Sequence, residues 1–253
     1  MSTTTPDPRD RSPQPGKEQG EPAGFRVPAG DPSLPVERVW PPAGLRLESP
    51  RLVLRLLRDA DLPAYLAAAT EPIAHTPRNP FSSPWNEGTP EQKARTSFAW
   101  IWQCRSRMDQ ADLMLLFGVF LKTGAGQVLI GMQDVGARDF TLLHQVSTAS
   151  WLVRAHQGKG LGREMREAVL LWAFDHLGAQ AASSGAYAWN DASRAVSEKL
   201  GYRPNGTHLV PDAHGRQAEE EVRYRVAAEE FVRPSWDLRV TGLREFAAYA
   251  GIG

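Results

Sequence analysis

Three glycines alternate over five positions in Gln157-Gly158-Lys159-Gly160-Leu161-Gly162, and this hexapeptide is the stretch best suited to chemistry. An apolar run, Ala149–Val153, precedes it and reads as a strand that stops at the polar turn Arg154-Ala155-His156. Behind it Leu161, Met165, Ala168, Val169 and Trp172 recur at helical spacing. Glycine lets the backbone approach an anion closely. The first amides of a helix have no internal partners and, with the positive end of the helix dipole, they bind phosphate or pyrophosphate. A Walker loop is excluded, because no Ser or Thr follows Lys159. A dinucleotide fingerprint is excluded too: Arg163 stands where its third glycine belongs, and no acidic residue follows at the ribose-binding distance. Without a ligand, the same glycines would serve only to let strand and helix pack.

A second constellation lies downstream. Ala186-Tyr187-Ala188-Trp189 alternates as a strand, Asn190 or Asp191 can cap a helix, and that helix runs through Arg194–Leu200 to stop at Gly201, with Tyr202 and Pro204 beyond. Gln157-x-x-Gly160-x-Gly162, followed by Asn190-x-x-Ser193 and Glu198-Lys199-Leu200-Gly201-Tyr202, resembles the GCN5-related N-acetyltransferases (GNAT). Within them it is most similar to the RimJ/RimL branch, which modifies ribosomal-protein N-termini. The resemblance implies an α/β fold, a central mixed and mostly antiparallel sheet flanked by helices, with acetyl-CoA as cofactor. It implies a direct attack of an amine on the thioester in a ternary complex. Leu152 and Val153 would end a splayed strand that pairs with the pantetheine. The amides from Gln157 through Gly158, Lys159, Gly160, Leu161 and Gly162 to Arg163 would hold the pyrophosphate, Lys159 and Arg163 adding charge. Asn190 and Ser193 would reach the pantetheine and sulfur as the catalytic pair, Ser193 assisting the thiolate. As a plain helix start, Asn190 and Ser193 would have no chemical duty.

Two positions depart from the family pattern. The tyrosine acid that many members place seven residues after the asparagine is Ser197 here, and the branch's glutamate base, four residues before a tryptophan, is Ser147 before Trp151. Asp134 and His144 are substitutes by proximity alone, each equally readable as structural. His156 and His176 read as solvent-facing.

The elements that must position these residues begin near Leu45. Arg51–Leu56 alternates as a strand, Asp59 or Asp61 opens a helix carrying Tyr65, Leu66 and Ala69, and Thr89 with Gln92 forms a capping box for a helix bearing Phe98, Ile101 and Trp102. Between these helices Glu71–Pro90 is irregular and proline-rich. The resemblance lays the acceptor against it, making His75, Phe81 and Trp85 candidate substrate-binding residues; alternatively Phe81 and Trp85 only pin the loop to the core. Leu113–Leu121 and Val128–Val135 read as a hairpin, Phe140–Val153 as its next strand, and Gly206–Leu209 with Glu221–Phe231 as a last hairpin. Residues 1–43 read as a disordered proline-rich extension, with Val36, Val39 and Trp40 able to dock; 44–233 form the catalytic domain and 234–253 a C-terminal tail without an assigned place.

Composition narrows the partners. Twenty-nine basic residues balance 29 acidic ones, which disfavours a nucleic-acid or polybasic membrane partner. The single cysteine, Cys104, excludes an intrachain disulfide and a multi-cysteine metal site, and reads as an apolar filler. No metal site is expected. No stretch is apolar and long enough for a membrane span and no signal-peptide core opens the sequence, so a cytoplasmic location is the default. Three functions stand at this stage. The preferred one is an acetyl-CoA-dependent N-acetyltransferase acting on a primary amine, whether a protein or peptide N-terminus, a small metabolite or an antibiotic. The others are an acyltransferase with another acyl-CoA or an aminoacyl-nucleotide acceptor, and a non-catalytic acyl-CoA sensor. A homodimer is compatible with each.

Overall fold

The alternation of leucine and arginine after Arg51 does form a strand in the computed structural model, which describes Met1 and residues 35–252. Most of the stretch read as a disordered extension lies outside the described residues. In chain order the elements are α1 (Val36–Val39), β1 (Arg46–Glu48), β2 (Leu52–Leu56), α2 (Leu62–Thr70), α3 (Pro90–Arg107), β3 (Asp112–Thr123), β4 (Gly126–Arg138) and α4 (Phe140–Leu143). They continue with β5 (Gln145–Leu152), α5 (Leu161–His176), β6 (Ala181–Tyr187), α6 (Asp191–Lys199), β7 (Arg203–Pro211), β8 (Ala218–Ala227), β9 (Arg239–Thr241) and α7 (Leu243–Tyr249).

The nine strands form one sheet in the order β7-β8-β6-β5-β4-β3-β2-β1-β9. Every neighbouring pair is antiparallel except β5 with β6. That parallel pair is short, running only from Gln145↔Ala181 to Ser147↔Ser183. Beyond it the strands part, β5 staying on β4 as far as Gly131↔Leu152 and β6 staying on β8 as far as Tyr187↔Glu221. A wedge therefore opens in mid-sheet, towards the C-terminal ends of two parallel strands, where open α/β sheets place ligands.

The two faces carry separate cores. On one, α5 packs Leu161, Met165, Ala168, Val169 and Trp172 against the sheet, as their spacing predicts. Most of α5's remaining surface is buried as well: Phe174 meets Phe231 at 5.6 Å, and the fully buried Phe246 of α7 meets the Trp172 ring at 5.5 Å. The tail thus has a place, since β9 pairs with β1, and Phe246 of α7 and Ala250 just beyond it lie in the core. On the other face α2 and α3 cover Val53, Leu116, Phe120 and Met132 with Tyr65, Ile101 and Cys104.

Several expectations need adjusting. The buried stripe of α3 is Ser97, Ile101 and Cys104, an i, i+4, i+7 row, which leaves Trp102 half exposed. The segment read as one strand from Phe140 to Val153 begins with a helical turn, because Asp139 and His144 adopt left-handed backbone on either side of it. At the other end of the chain, residues 36–43 form helical turns: Trp40 packs against the core and Pro42 and Ala43 are buried, while Val36 and Val39 stay exposed.

Candidate active site

The glycine turn is built to expose amides. Gly158 and Gly160 take φ of +71° and +77°, a region that costs a side-chain-bearing residue energy and glycine almost nothing. Among the described residues, the amides of Gly158 through Arg163 meet no protein acceptor, and α5 begins at Leu161 directly behind them. The turn is held in place by Glu164, which is buried and accepts from Ser49 Oγ (2.7 Å), the Arg51 amide (2.8 Å) and Arg51 Nε (2.6 Å). Arg51 also donates to the Lys159 carbonyl at 2.9 Å.

The predicted cofactor residues divide by role. Gly158, Gly160, Gly162 and Arg163 line a cleft of about 1850 Å³, as does Leu152, whereas Val153, Lys159 and Leu161 do not. The Val153 and Leu161 side chains lie in the two cores. Lys159 Nζ turns back onto the Ala155 carbonyl (2.8 Å), and Arg163 pairs with Glu167 at 2.7 Å. Gln157 is a tie: its side-chain amide donates to the carbonyls of Leu152 (2.7 Å) and Ile73 (2.8 Å), joining the turn to the long loop 71–89.

Across the wedge, Asn190 caps α6 by accepting from the Ser193 amide at 3.3 Å. The Ser193 hydroxyl faces the cleft with no partner among the described residues. Ser197 is buried and donates to the Ser193 carbonyl, so the position of the family's tyrosine acid is a helix back-bond outside the cleft.

On the opposite face of the sheet the cleft deepens into an aromatic chamber. Phe81 lies 5.0 Å from Trp85, Trp85 5.2 Å from Trp151, and Trp151 5.9 Å from Tyr65, measured between ring centres. Trp85 therefore both lines the cleft and pins its loop to the core. Tyr187, which also lines the cleft, and His214 fasten the same loop through the Phe81 carbonyl (3.2 Å) and Glu87 (3.1 Å). His75 lines the chamber from an exposed position, and Trp100 joins it at the rim.

Asp134 stands in this chamber. It pairs with Ala149 across the β4–β5 ladder, which puts its carboxyl on the face that carries Ser147 and Trp151. Ser147 itself pairs with Gly136, two residues along β4. Burial, with no cation among the described residues to compensate it, pushes Asp134 up from 3.8 to about 7. His144 caps α4 far from the cleft, its ring against Phe140, and is no substitute. His156 is half-buried rather than solvent-facing. Cys104 is held at about 12, first by burial and then by Asp134, so its thiol is inert as a nucleophile.

Free amides at a helix start, a wedge between parted strands and a chamber through the sheet together fit an acyl-CoA on one side and an acceptor on the other. The acetyltransferase (GNAT) domain model matches residues 51–203. The chain belongs to the GNAT acetyltransferase family.

Solved structures share its fold. Mycobacterium smegmatis RimJ in complex with CoA-disulfide is 18% identical and superposes with a TM-score of 0.58 over 83% of this chain and 93% of that one. The ribosomal-protein-S5-alanine acetyltransferase from Vibrio fischeri, also 18% identical, gives 0.57 over 75% and 99%. A GCN5-related N-acetyltransferase from Brucella melitensis gives 0.57 at 18% identity over 73% and 79%. The protein is thus an N-acetyltransferase by family, and members bind an acyl-CoA and an acceptor. No helix among the described residues is long and apolar enough to cross a membrane, and no group of potential metal ligands gathers among them.

Sequence reasoning missed Tyr65, Trp151 and Arg166 as cleft residues. Trp151 shares its strand face with Ser147, which alternation alone shows. Arg166 falls beside the apolar stripe of α5, next in sequence to Met165 and three residues before Val169, and nothing in the helical pattern marks it as buried.

Proposed function

We propose that this acetyltransferase moves an acetyl group from acetyl-CoA to a primary amine carried on an apolar or aromatic body, such as a protein N-terminus, a small metabolite or an antibiotic. The observation that carries this reading is the Asp134 carboxyl inside the Tyr65–Trp85–Trp151 chamber, on the far side of the sheet from the glycine turn. Aromatic faces attract an ammonium group and bury an apolar body, while a carboxylate fixes the charged end.

The amides of Gly158 to Arg163 would hold the pyrophosphate and β5 the pantetheine arm. Acetyl-CoA, when bound, supplies an activated thioester. The chain's own residues supply the proton traffic. An ammonium cannot attack, so its proton must leave first; a carboxyl titrating at about 7 is able to accept it near neutral pH. Asp134 thereby takes over, from β4, the duty that a glutamate at position 147 would have performed. The unpartnered Ser193 hydroxyl, which lines the cleft, would donate to the departing sulfur. Tyr65, raised to about 12 mainly by burial, stays protonated and serves as wall.

An acceptor screen read by release of free thiol tests the proposal. Arylalkylamines and peptides with uncharged N-terminal residues should be acetylated well above polyamines and lysine-rich peptides. Binding of acetyl-CoA without turnover of any amine would replace the enzyme reading with that of a sensor.

A further inference from the structure

Arg166 is the least expected residue of the cleft. It sits on α5 with only 4% of its surface exposed and still lines the wedge where β5 and β6 part. Its guanidinium reaches one hydroxyl from each strand, Ser150 Oγ at 3.0 Å and Ser184 Oγ at 3.3 Å. Nε has no partner, and among the described residues no carboxylate lies within ion-pair distance. Burial pulls the group below its ordinary value, with the Tyr202 phenol as the main opposing influence.

A guanidinium has five donors and no acceptor, and a buried one normally faces a carboxylate or a full set of oxygens. Here the hydroxyls of Ser150 and Ser184 and the neighbouring Tyr202 phenol serve it, and the remaining donors, with Nε buried and unpartnered, sit beside the opening that the residue lines. The ladder between β5 and β6 ends at Ser147↔Ser183, so no neighbouring strand brings carbonyls to them. An extended chain lying in the wedge would bring such oxygens, and the pantetheine arm of an acyl-CoA carries amide and thioester carbonyls along its length.

We propose that Arg166 is a binding residue for the acyl-pantetheine arm, donating from the wedge to a carbonyl oxygen of the bound acyl-CoA. This rests on the acyl-CoA reading above. It also explains why a buried cation without a carboxylate persists: the free protein carries it at a cost in stability, and the ligand offsets that cost.

Calorimetric titration of wild type, Arg166→Met and Arg166→Lys tests it, using acetyl-CoA and, separately, the nucleotide half of coenzyme A without its pantetheine arm. Arg166→Met should weaken acetyl-CoA about tenfold or more and leave the nucleotide half unchanged, with a Tm of the free protein equal to or above wild type. Arg166→Lys keeps the charge but not the fork, and should fall between, giving a folded variant if methionine is not tolerated. Unchanged acetyl-CoA affinity in both variants overturns the proposal. So does an equal loss for both ligands, or a fall in Tm without a fall in affinity, which would make Arg166 a staple between two strands. A wild-type protein that binds neither ligand would overturn the acyl-CoA reading itself.

Discussion

In the proposed mechanism Asp134 of β4 and Ser193 of α6 divide the chemistry between them. Replacing Asp134 by Asn keeps the shape and removes the proton acceptor, so kcat should drop about 10²–10⁴-fold. The acidic limb of the wild-type kcat/KM profile, centred near pH 7, should vanish with it. The same group makes a second, independent prediction. In the unfolded chain its proton leaves near 3.8, whereas the native site keeps it to about 7. Between those values the native state binds more protons, so its stability falls as pH rises through the window. The Tm of Asp134→Asn relative to wild type should therefore grow from about pH 4 to about pH 8. A difference independent of pH would show that the carboxyl is not desolvated. For Ser193→Ala, kcat should fall about 10²-fold while the KM for acetyl-CoA changes little, because the hydroxyl serves the leaving group. A rise in KM with kcat intact would reduce it to a cofactor contact. Neither Asp134 nor Ser193 is decided by sequence alone. The residue order shows that the glutamate is missing from position 147, but only strand register shows a carboxyl brought beside it from β4.

At the scale of elements, the glycine turn and α5 are what the sequence shows most clearly. Gly158 and Gly160 need left-handed backbone, the helical stripe from Leu161 to Trp172 is unbroken, and both are local properties. Gly160→Glu would place a strained side chain and a carboxylate among amides that favour anions, and acyl-CoA binding should be lost; unchanged affinity would remove the turn from the site. Less legible are the features set by distant partners. The parting of β5 from β6 depends on where their ladder stops, and the strand limits depend on β4 and β8. The turn at Phe140–Leu143 depends on left-handed Asp139 and His144, neither of them a glycine. Gln157 was legible as a motif residue, yet its amide joins two loops, since the Ile73 carbonyl it meets is 84 residues away.

The C-terminal segment is part of the folded unit of residues 36–252, since β9 pairs with β1 and Phe246 joins the core. Nothing in the composition of residues 234–252 marks them as core, because Trp236, Leu238 and Phe246 are spread among charges. Yet Phe246 is fully buried against Trp172 of α5, the helix that carries Arg166 and follows the glycine turn. Phe246→Ala should cost about 3–5 kcal/mol of stability by denaturant unfolding. A loss below about 1 kcal/mol would mean that the tail is dispensable to the domain. In the proposed reading the two faces of the sheet receive the two substrates, α5 and the turn on one side and the chamber of Tyr65, Trp85 and Trp151 on the other, both lining one cleft.

That arrangement is tested most directly by calorimetric titration of the wild-type protein with acetyl-CoA, free CoA, ATP and NAD. Micromolar binding of acetyl-CoA and CoA, with no measurable heat from ATP or NAD, is the predicted result. Failure of acetyl-CoA to bind, or binding of ATP or NAD in its place, would contradict the account at its centre.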